Sequence, residues 1–157
     1  MFAPAAAAGG SANRIDVWNC YNRVVVSSLC RDNTNSWSYT TNTLRSYNNS
    51  ASNRVTVVRG LDEDHDSVTG VAYGATSSAG LIIRSGIGVD STSTFSGSPG
   101  RGTSNLIVAL ISEYEGLPGL GSHYFQILEA GSGTQGTFYG DEGGSEYQAG
   151  LFWRGMA

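Results

Sequence analysis

Residues 116–144, "GLPGLGSHYFQILEAGSGTQGTFYGDEGG", decide the fold class of this chain. The stretch opens on a Gly/Pro turn, continues through the apolar run "HYFQILEA" (123–130), breaks on glycine and serine, and returns through "GTFYGD" (136–141). Aromatic and β-branched residues between glycine-rich turns are typical of β-strands. The stretch is therefore predicted to be scaffold, with Asp141 and Glu142 in loops that contribute to an exposed tip.

The same alternation of short apolar runs and turns extends over the rest of the chain. It predicts further strands at 14–19, 22–30, 36–41, 53–60, 67–76, 80–90, 104–114 and 151–157. The run at 104–116 also has a helical spacing of apolar residues, but β-branched residues on both faces and the following glycine favour a buried strand. Ten short strands at regular spacing predict an all-β fold, an antiparallel β-sandwich of the jelly-roll kind.

The chain length of 157 residues favours a single domain. The Ala/Gly-rich start, residues 1–13, lacks the positively charged region of a signal peptide and is predicted to be a flexible docking arm. Residues 14–157 are predicted to form the sandwich. Three of its strands, in "HYFQILE", "NLIVALI" and "GLFWRGM", carry apolar residues on both faces, which predicts that another subunit covers the second face.

Composition argues against several classes of function. The chain has no Lys, and its net charge is −4. Nucleic-acid binding is not predicted, because the sequence lacks the basic stripe that such proteins carry. No apolar run approaches the length of a membrane span. Charged residues make up only 14% of the chain, and glycine, serine, threonine and asparagine are abundant, as in proteins with many tight turns.

Neither a metal site nor another cofactor is predicted. The acidic segment 61–66, "LDEDHD", lacks the glycine and spacing of a calcium loop and is interpreted as a solvated turn. His65, His123, Cys20 and Cys30 do not have zinc-ligand spacing. Cys20 and Cys30 are interpreted as two thiols, with a disulfide as the alternative.

The sequence predicts no catalytic site. No nucleophile-elbow motif is present. A glycosidase pair drawn from Glu113, Glu115, Glu129, Asp141 and Glu142 remains the enzymatic alternative, since such a pair is defined by its separation in space. Glu113 and Glu115 are expected on the same strand face, which is also typical of a plain solvent edge.

Aromatic residues give the better indication of function. Tyrosine and tryptophan are spread through a frame rich in Gly, Ser, Asn and Asp, where aromatic faces suit sugar rings and polar side chains suit hydroxyls. Core and subunit-interface positions are the structural alternative for each of them. The candidate glycan-binding residues are Tyr47, Asn49, Tyr139, Asp141 and Tyr147.

An ordered set of segments resembles a β-rich module of tailed-bacteriophage virion proteins. The segments are "VWNCYNRV", "SWSYTTNTLRSYNNSASNRVTVVRGLDED", "GIGVDST", "EYEGLPGLGSHYFQILEAGSGTQGTFYGDEGG" and "GLFWRGMA", and the resemblance covers roughly residues 16–157. The resemblance implies a fibre, spike or decoration protein of the virion, assembled in the bacterial cytoplasm. Such proteins are commonly trimeric and often bind host surface glycans.

The resemblance carries no catalytic motif, so a non-enzymatic structural protein is expected. The start of the chain departs from the family, which has further strand sequence there. Residues 1–13 are expected instead to contact other virion proteins. The alternatives are a phage tailspike glycosidase and a secreted lectin, the latter favoured if Cys20 and Cys30 are bonded.

Overall fold

The computed structural model describes residues 2–4, 15–17, 23–144 and 146–156. Within them the chain is all β, in antiparallel sheets, which confirms the predicted fold class and sandwich. The strands are β1 (Phe2–Pro4), β2 (Ile15–Val17), β3 (Val25–Arg31), β4 (Ser36–Ser38), β5 (Arg45–Ser46), β6 (Arg54–Arg59), β7 (Asp66–Ala75), β8 (Ile83–Val89), β9 (Gly100–Gly102), β10 (Val108–Gly116), β11 (Gly121–Ala130), β12 (Thr137–Tyr139) and β13 (Gly150–Met156). One turn of 3-10 helix, Tyr47–Asn49, follows β5.

The two main sheets are each built around one ten-residue strand. In the six-stranded sheet, β7 pairs with β10 along one side and with β13 and β12, end to end, along the other. In the five-stranded sheet, β11 pairs with β8 on one side and with β6 and β5 on the other. Strands β3, β4 and β9 extend these sheets, and β1 pairs with β2 separately.

The core lies between the two sheets and follows the period-two alternation of the strands. Strand β7 buries Val68 and Ala72, β10 buries Leu110, and β13 buries Leu151 and Trp153. The intervening residues point to the outer face of the six-stranded sheet, because successive side chains of a strand alternate between faces. Register therefore determines which residues meet a ligand or partner.

Three strands with apolar residues on both faces are predicted to have their second face covered by another subunit. For β11 this prediction is wrong. Phe125 and Ile127 belong to the core between the sheets. Leu128, on the opposite face, is also buried, and its side chain lies against the position of Gly88, which the 91–94 loop approaches. Phe95 covers the neighbouring Gly86 in the same way. The chain's own loop thus covers the second face of this strand.

The run at 104–116 is a strand from Val108 onward, as predicted, but it is only half buried. Leu110 and Ser112 point inward, whereas Ile111 is 57% exposed on the outer face. Phe152 of β13 is exposed on the same outer face.

Among the described residues, none forms a helix with the length and apolar character needed to span a membrane.

Candidate binding surface

Three tyrosines meet at one end of the outer face of the six-stranded sheet. Tyr73 and Tyr139 are direct cross-strand partners in β7 and β12. The ring of Tyr147, from the loop before β13, packs edge-on against that of Tyr73 with 5.1 Å between centroids. All three residues are partly exposed, so a ligand can contact them. These three residues are called the tyrosine surface below.

Carboxylates border the tyrosine surface. An open depression beside it is lined by Asp141, Glu142, Glu146 and Tyr147. Burial raises the pKa of the Tyr139 hydroxyl, and the nearby Glu142 carboxylate raises it further. The Tyr139 hydroxyl therefore stays protonated near neutral pH and remains a hydrogen-bond donor beside carboxylates that only accept.

The loop that carries these acids is held by backbone hydrogen bonds. Gly140 and Asp141 donate through their N–H groups to the Thr34 carbonyl at 3.0 and 3.2 Å, and Ala149 donates to the Gly140 carbonyl at 2.8 Å. The Asp141 carboxylate accepts from the Gly143 N–H at 2.8 Å. A ligand would therefore meet a largely preformed surface, which lowers the ordering cost of binding.

Tyr47 supports the tyrosine surface from beneath and is not part of it. Its side chain is fully buried, in edge-on contact with Trp37 and Phe138, so the ring offers no face to a surface ligand. Its hydroxyl donates to the Tyr139 carbonyl at 2.8 Å and accepts from the Tyr73 N–H at 3.3 Å. Contrary to its prediction as a glycan-binding residue, Tyr47 is a core residue that positions Tyr73 and Tyr139.

The other predicted glycan-binding residues separate into two groups. Tyr139, Asp141 and Tyr147 come together at the tyrosine surface and the depression beside it. Asn49 is exposed on the 3-10 turn with a positive φ of 51° and does not line this depression. Sequence reasoning missed two contributors, Tyr73 and Glu146. The alternation of β7 provided a signal for Tyr73, because Val68 and Ala72 point inward and Tyr73 must then point outward.

Asp32 anchors the turn that bears Tyr47. Its buried carboxylate accepts from the Thr34 N–H at 2.9 Å and from the side-chain amides of Asn48 and Asn53 at 3.1 and 2.5 Å. Asn48 has a φ of 54°, a backbone conformation that asparagine tolerates better than most residues. The "YNNSASN" segment therefore folds inward around a buried carboxylate.

Glu129 is a buried carboxyl group whose pKa is strongly raised. It is fully buried at the inner face of β11, accepts from the Trp37 indole N–H at 2.9 Å and pairs with Arg45 at 2.7 Å. Burial raises its pKa to about 7, although the Trp37 and Arg45 donors act in the opposite direction. It faces the core and is not among the residues that line the surface depressions described.

The acidic segment 61–66 divides between surface and interior. Asp62, Glu63 and His65 are exposed, and Arg23 pairs with both Glu63 and Asp64. Asp66, by contrast, is fully buried at the start of β7 and accepts from the Trp153 indole at 3.0 Å. The interpretation as a solvated turn is therefore wrong for Asp66. No group of three His, Cys, Asp or Glu residues suited to a metal ion occurs in the described part of the chain.

His123 lies near Asp66 at one end of the interior. Its Nδ1 is 2.6 Å from a carboxylate oxygen of Asp90, and its ring is mostly buried.

Cys30 is partly buried, and its thiol donates to the Ser52 carbonyl at 3.1 Å. The alternative of a disulfide concerns Cys20, which lies outside the described residues, as does most of the predicted arm at 1–13.

Glu113 and Glu115 lie on the outer face of β10, as their spacing predicts. They border a shallow depression together with Tyr114 and Ser98. Both side chains are exposed, which is typical of a solvated strand edge.

Comparison with known proteins adds no assignment, because neither a family model nor a curated protein sequence matches this chain.

Proposed function

We propose that this protein is a non-enzymatic binding protein whose tyrosine surface contacts carbohydrate. The observation that carries the proposal is the placing of Tyr73, Tyr139 and Tyr147 side by side on a rigid sheet, next to a carboxylate-lined depression. Aromatic faces supply apolar area at low cost in conformational entropy, and tyrosine adds a polar tip. A sugar ring offers the matching combination of apolar C–H faces and hydroxyl donors.

The charge of the surface narrows the class of carbohydrate. Asp141, Glu142 and Glu146 line the depression and bring negative charge to it. A uronic acid or a sulfated sugar would be repelled, since like charges placed together oppose binding. Neutral hexoses fit, with their hydroxyl groups donating to the carboxylates. We therefore assign the tyrosine surface to a neutral polysaccharide.

The environment of the carboxyl groups supports a binding role over hydrolysis. The general acid of a glycosidase is usually kept protonated by an apolar site. At this surface the depression is open, and Glu142 and Glu146 are exposed. The carboxyl group whose pKa burial raises to about 7, Glu129, is sealed in the core against Trp37 and Arg45.

The biological setting proposed for this binding is the virion of a tailed phage, with a host glycan as the ligand. The ordered sequence segments support this setting. In it, the protein is a fibre, spike or decoration subunit, and residues 1–13 contact other virion proteins.

Self-association has separate support in the outer face of the six-stranded sheet. Leu29 and Phe152 are cross-strand neighbours there and are 52% and 45% exposed, and Ile111 lies two strands away. Arg154 flanks this apolar patch on the β13 side and Glu115 on the β10 side, in register through Ser67. A second copy packed against this outer face would bury the patch.

The carbohydrate assignment is tested by affinity electrophoresis in gels that contain neutral or acidic polysaccharides. Tyr147→Ala is expected to weaken retardation by a neutral polymer about tenfold, or about 1.4 kcal/mol. The matched control is Tyr124→Ala, which alters a partly exposed tyrosine in the other sheet. Equal retardation of both variants and the native chain, or retention only by acidic polymers, contradicts the assignment.

The self-association proposal is tested by light scattering after size-exclusion chromatography. The native chain is expected to elute as more than one copy, and Phe152→Asp as a monomer. Leu120→Asp, at an exposed leucine in the loop before β11, is the control and should not change the mass. A face-to-face contact joins two copies whereas the resemblance implies three, and the measured mass distinguishes them. A native monomer at high concentration contradicts both.

A further inference from the structure

Two arginines face each other directly on the outer face of the five-stranded sheet. Arg84 in β8 and Arg101 in β9 are cross-strand partners in an antiparallel pair, which places both side chains on the same face. Ile83 and Ile87 point to the core, so Arg84 points to the outer face. Both arginines line a groove of ≈ 550 Å³. That volume lies within the range of small-molecule sites.

This pairing is unfavourable unless something compensates it. Like charges directly opposite in a sheet destabilise it. Among the other arginines of the described ranges, Arg23, Arg45 and Arg59 have carboxylate partners, whereas Arg31, Arg54 and Arg154 have none but do not face another arginine. In the part of the chain that the structure describes, Arg84 and Arg101 have none, and no acidic residue lines their groove. Arg84 and Arg101 therefore violate the rule that like charges do not face each other across a strand pair. Such local violations are typical of functional sites.

The remaining lining of the groove is largely apolar. Leu81, Ile82, Phe95 and Pro99 form its walls, and Asn42 and Ser132 add polar groups. Phe95 is held in position because it packs on Gly86, where any larger residue would collide with its ring. Arg84 donates to the Asn42 side chain, which orients its guanidinium group. Arg101 is exposed, and its side chain has no hydrogen-bond partner in the described ranges, so its guanidinium donors are available to a ligand.

We propose that this groove is a second binding site, specific for a carboxylate, sulfate or phosphate group carried on a ring. The arginine pair supplies planar, permanently charged donors that match the two oxygens of such a group. The walls formed by Phe95 and Ile82 supply contact area for the attached ring. The site lies on the other sheet from the tyrosine surface and has the opposite charge, so it takes a different ligand.

Binding is tested by NMR titration of the full-length chain with benzoate, glucuronate and inorganic sulfate, and with benzyl alcohol and glucose as neutral counterparts. Benzoate and glucuronate distinguish an aromatic ring from a sugar ring as carrier of the same carboxylate. Saturable shifts of the Arg84 and Arg101 side-chain N–H signals are expected with at least one of the two carboxylates. The same shifts with the neutral counterparts, shifts with inorganic sulfate alone, or no saturable shift with any probe would overturn the proposal.

Arg101→Gln is expected to weaken the carboxylate that binds at least about tenfold, the effect of losing one charge-assisted contact. Arg54→Gln is the matched control, because it removes an exposed arginine that does not line the groove. The melting temperature of Arg101→Gln should stay the same or rise, since the substitution relieves like-charge repulsion. A lower melting temperature would assign Arg101 a structural role and refute the site. Equal binding of the carboxylate by both variants would also refute the site. Polysaccharide retardation by the tyrosine surface should be unchanged, so the two proposals fail independently.

Discussion

The buried Glu129 predicts a specific dependence of stability on pH. Its pKa is about 7 in the folded chain, compared with an ordinary value of 4.5. Between these values the folded state holds a proton that the unfolded state has lost. Stability that is fully present below about pH 4.5 is therefore lost as the pH rises to about 7. Each pKa unit corresponds to about 1.4 kcal/mol, so the free energy of unfolding should fall by about 3 kcal/mol.

The assay is urea unfolding at pH steps from 4.5 to 8, followed by tryptophan fluorescence, in the native chain and in Glu129→Gln. Glutamine keeps an oxygen to accept from Trp37 and Arg45 but does not titrate. The stability of this variant should therefore lack most of the 3 kcal/mol fall, whatever its absolute stability. Glu113→Gln, at an exposed glutamate of β10, should follow the native curve.

Parallel pH curves for the native chain and Glu129→Gln would refute this reasoning. They would mean that the 2.7 Å contact with Arg45 outweighs burial and keeps Glu129 ionised throughout the range. The carboxyl ¹³C signal of Glu129, followed by NMR through the same titration, gives an independent measurement of the same pKa.

Three further predictions concern Tyr47 beneath the tyrosine surface and the packing of the sheet that carries this surface. Tyr47→Phe keeps the buried ring but removes the hydroxyl between Tyr73 and Tyr139, so urea unfolding should show a loss of about 1–3 kcal/mol together with weaker polysaccharide retardation. Gly97→Ala places a methyl group against the Glu113 carbonyl and should destabilise by about 1–3 kcal/mol, whereas Gly144→Ala, in open space, should have little effect on thermal unfolding. Leu110→Ala should destabilise the chain by about 2–5 kcal/mol in urea, and its exposed neighbour Ile111→Ala by less than about 0.5 kcal/mol in the monomer; equal effects would contradict the inward and outward assignment of β10.

Strand positions and turns could be predicted because their signals are local. The run "HYFQILEA" and its glycine-rich flanks predict the strand β11 from neighbouring residues in the sequence. The short strands β5 and β9 were missed because two or three residues carry too little alternation to be recognised. Their pairing depends on the neighbouring long strands β11 and β8.

The candidate site was predicted only in part. Tyr139, Asp141 and Tyr147 are close to one another in the chain, and the structure also brings them together in space. Tyr47 is predicted as a glycan-binding residue because it is an aromatic residue in the polar segment "SYNNS". The positive φ of Asn48 and the buried carboxylate of Asp32 instead turn this segment inward.

The sequence by itself determined the all-β class, most of the strands and the alternation of their side chains, because these follow from interactions between residues a few positions apart. Only the tertiary structure decided which faces are covered. It placed Phe95 over Gly86, brought Tyr73 beside Tyr139, and set Arg84 opposite Arg101. The physical reason is that strand pairing joins residues far apart in sequence, and a change of register by one residue would move every side chain to the other face.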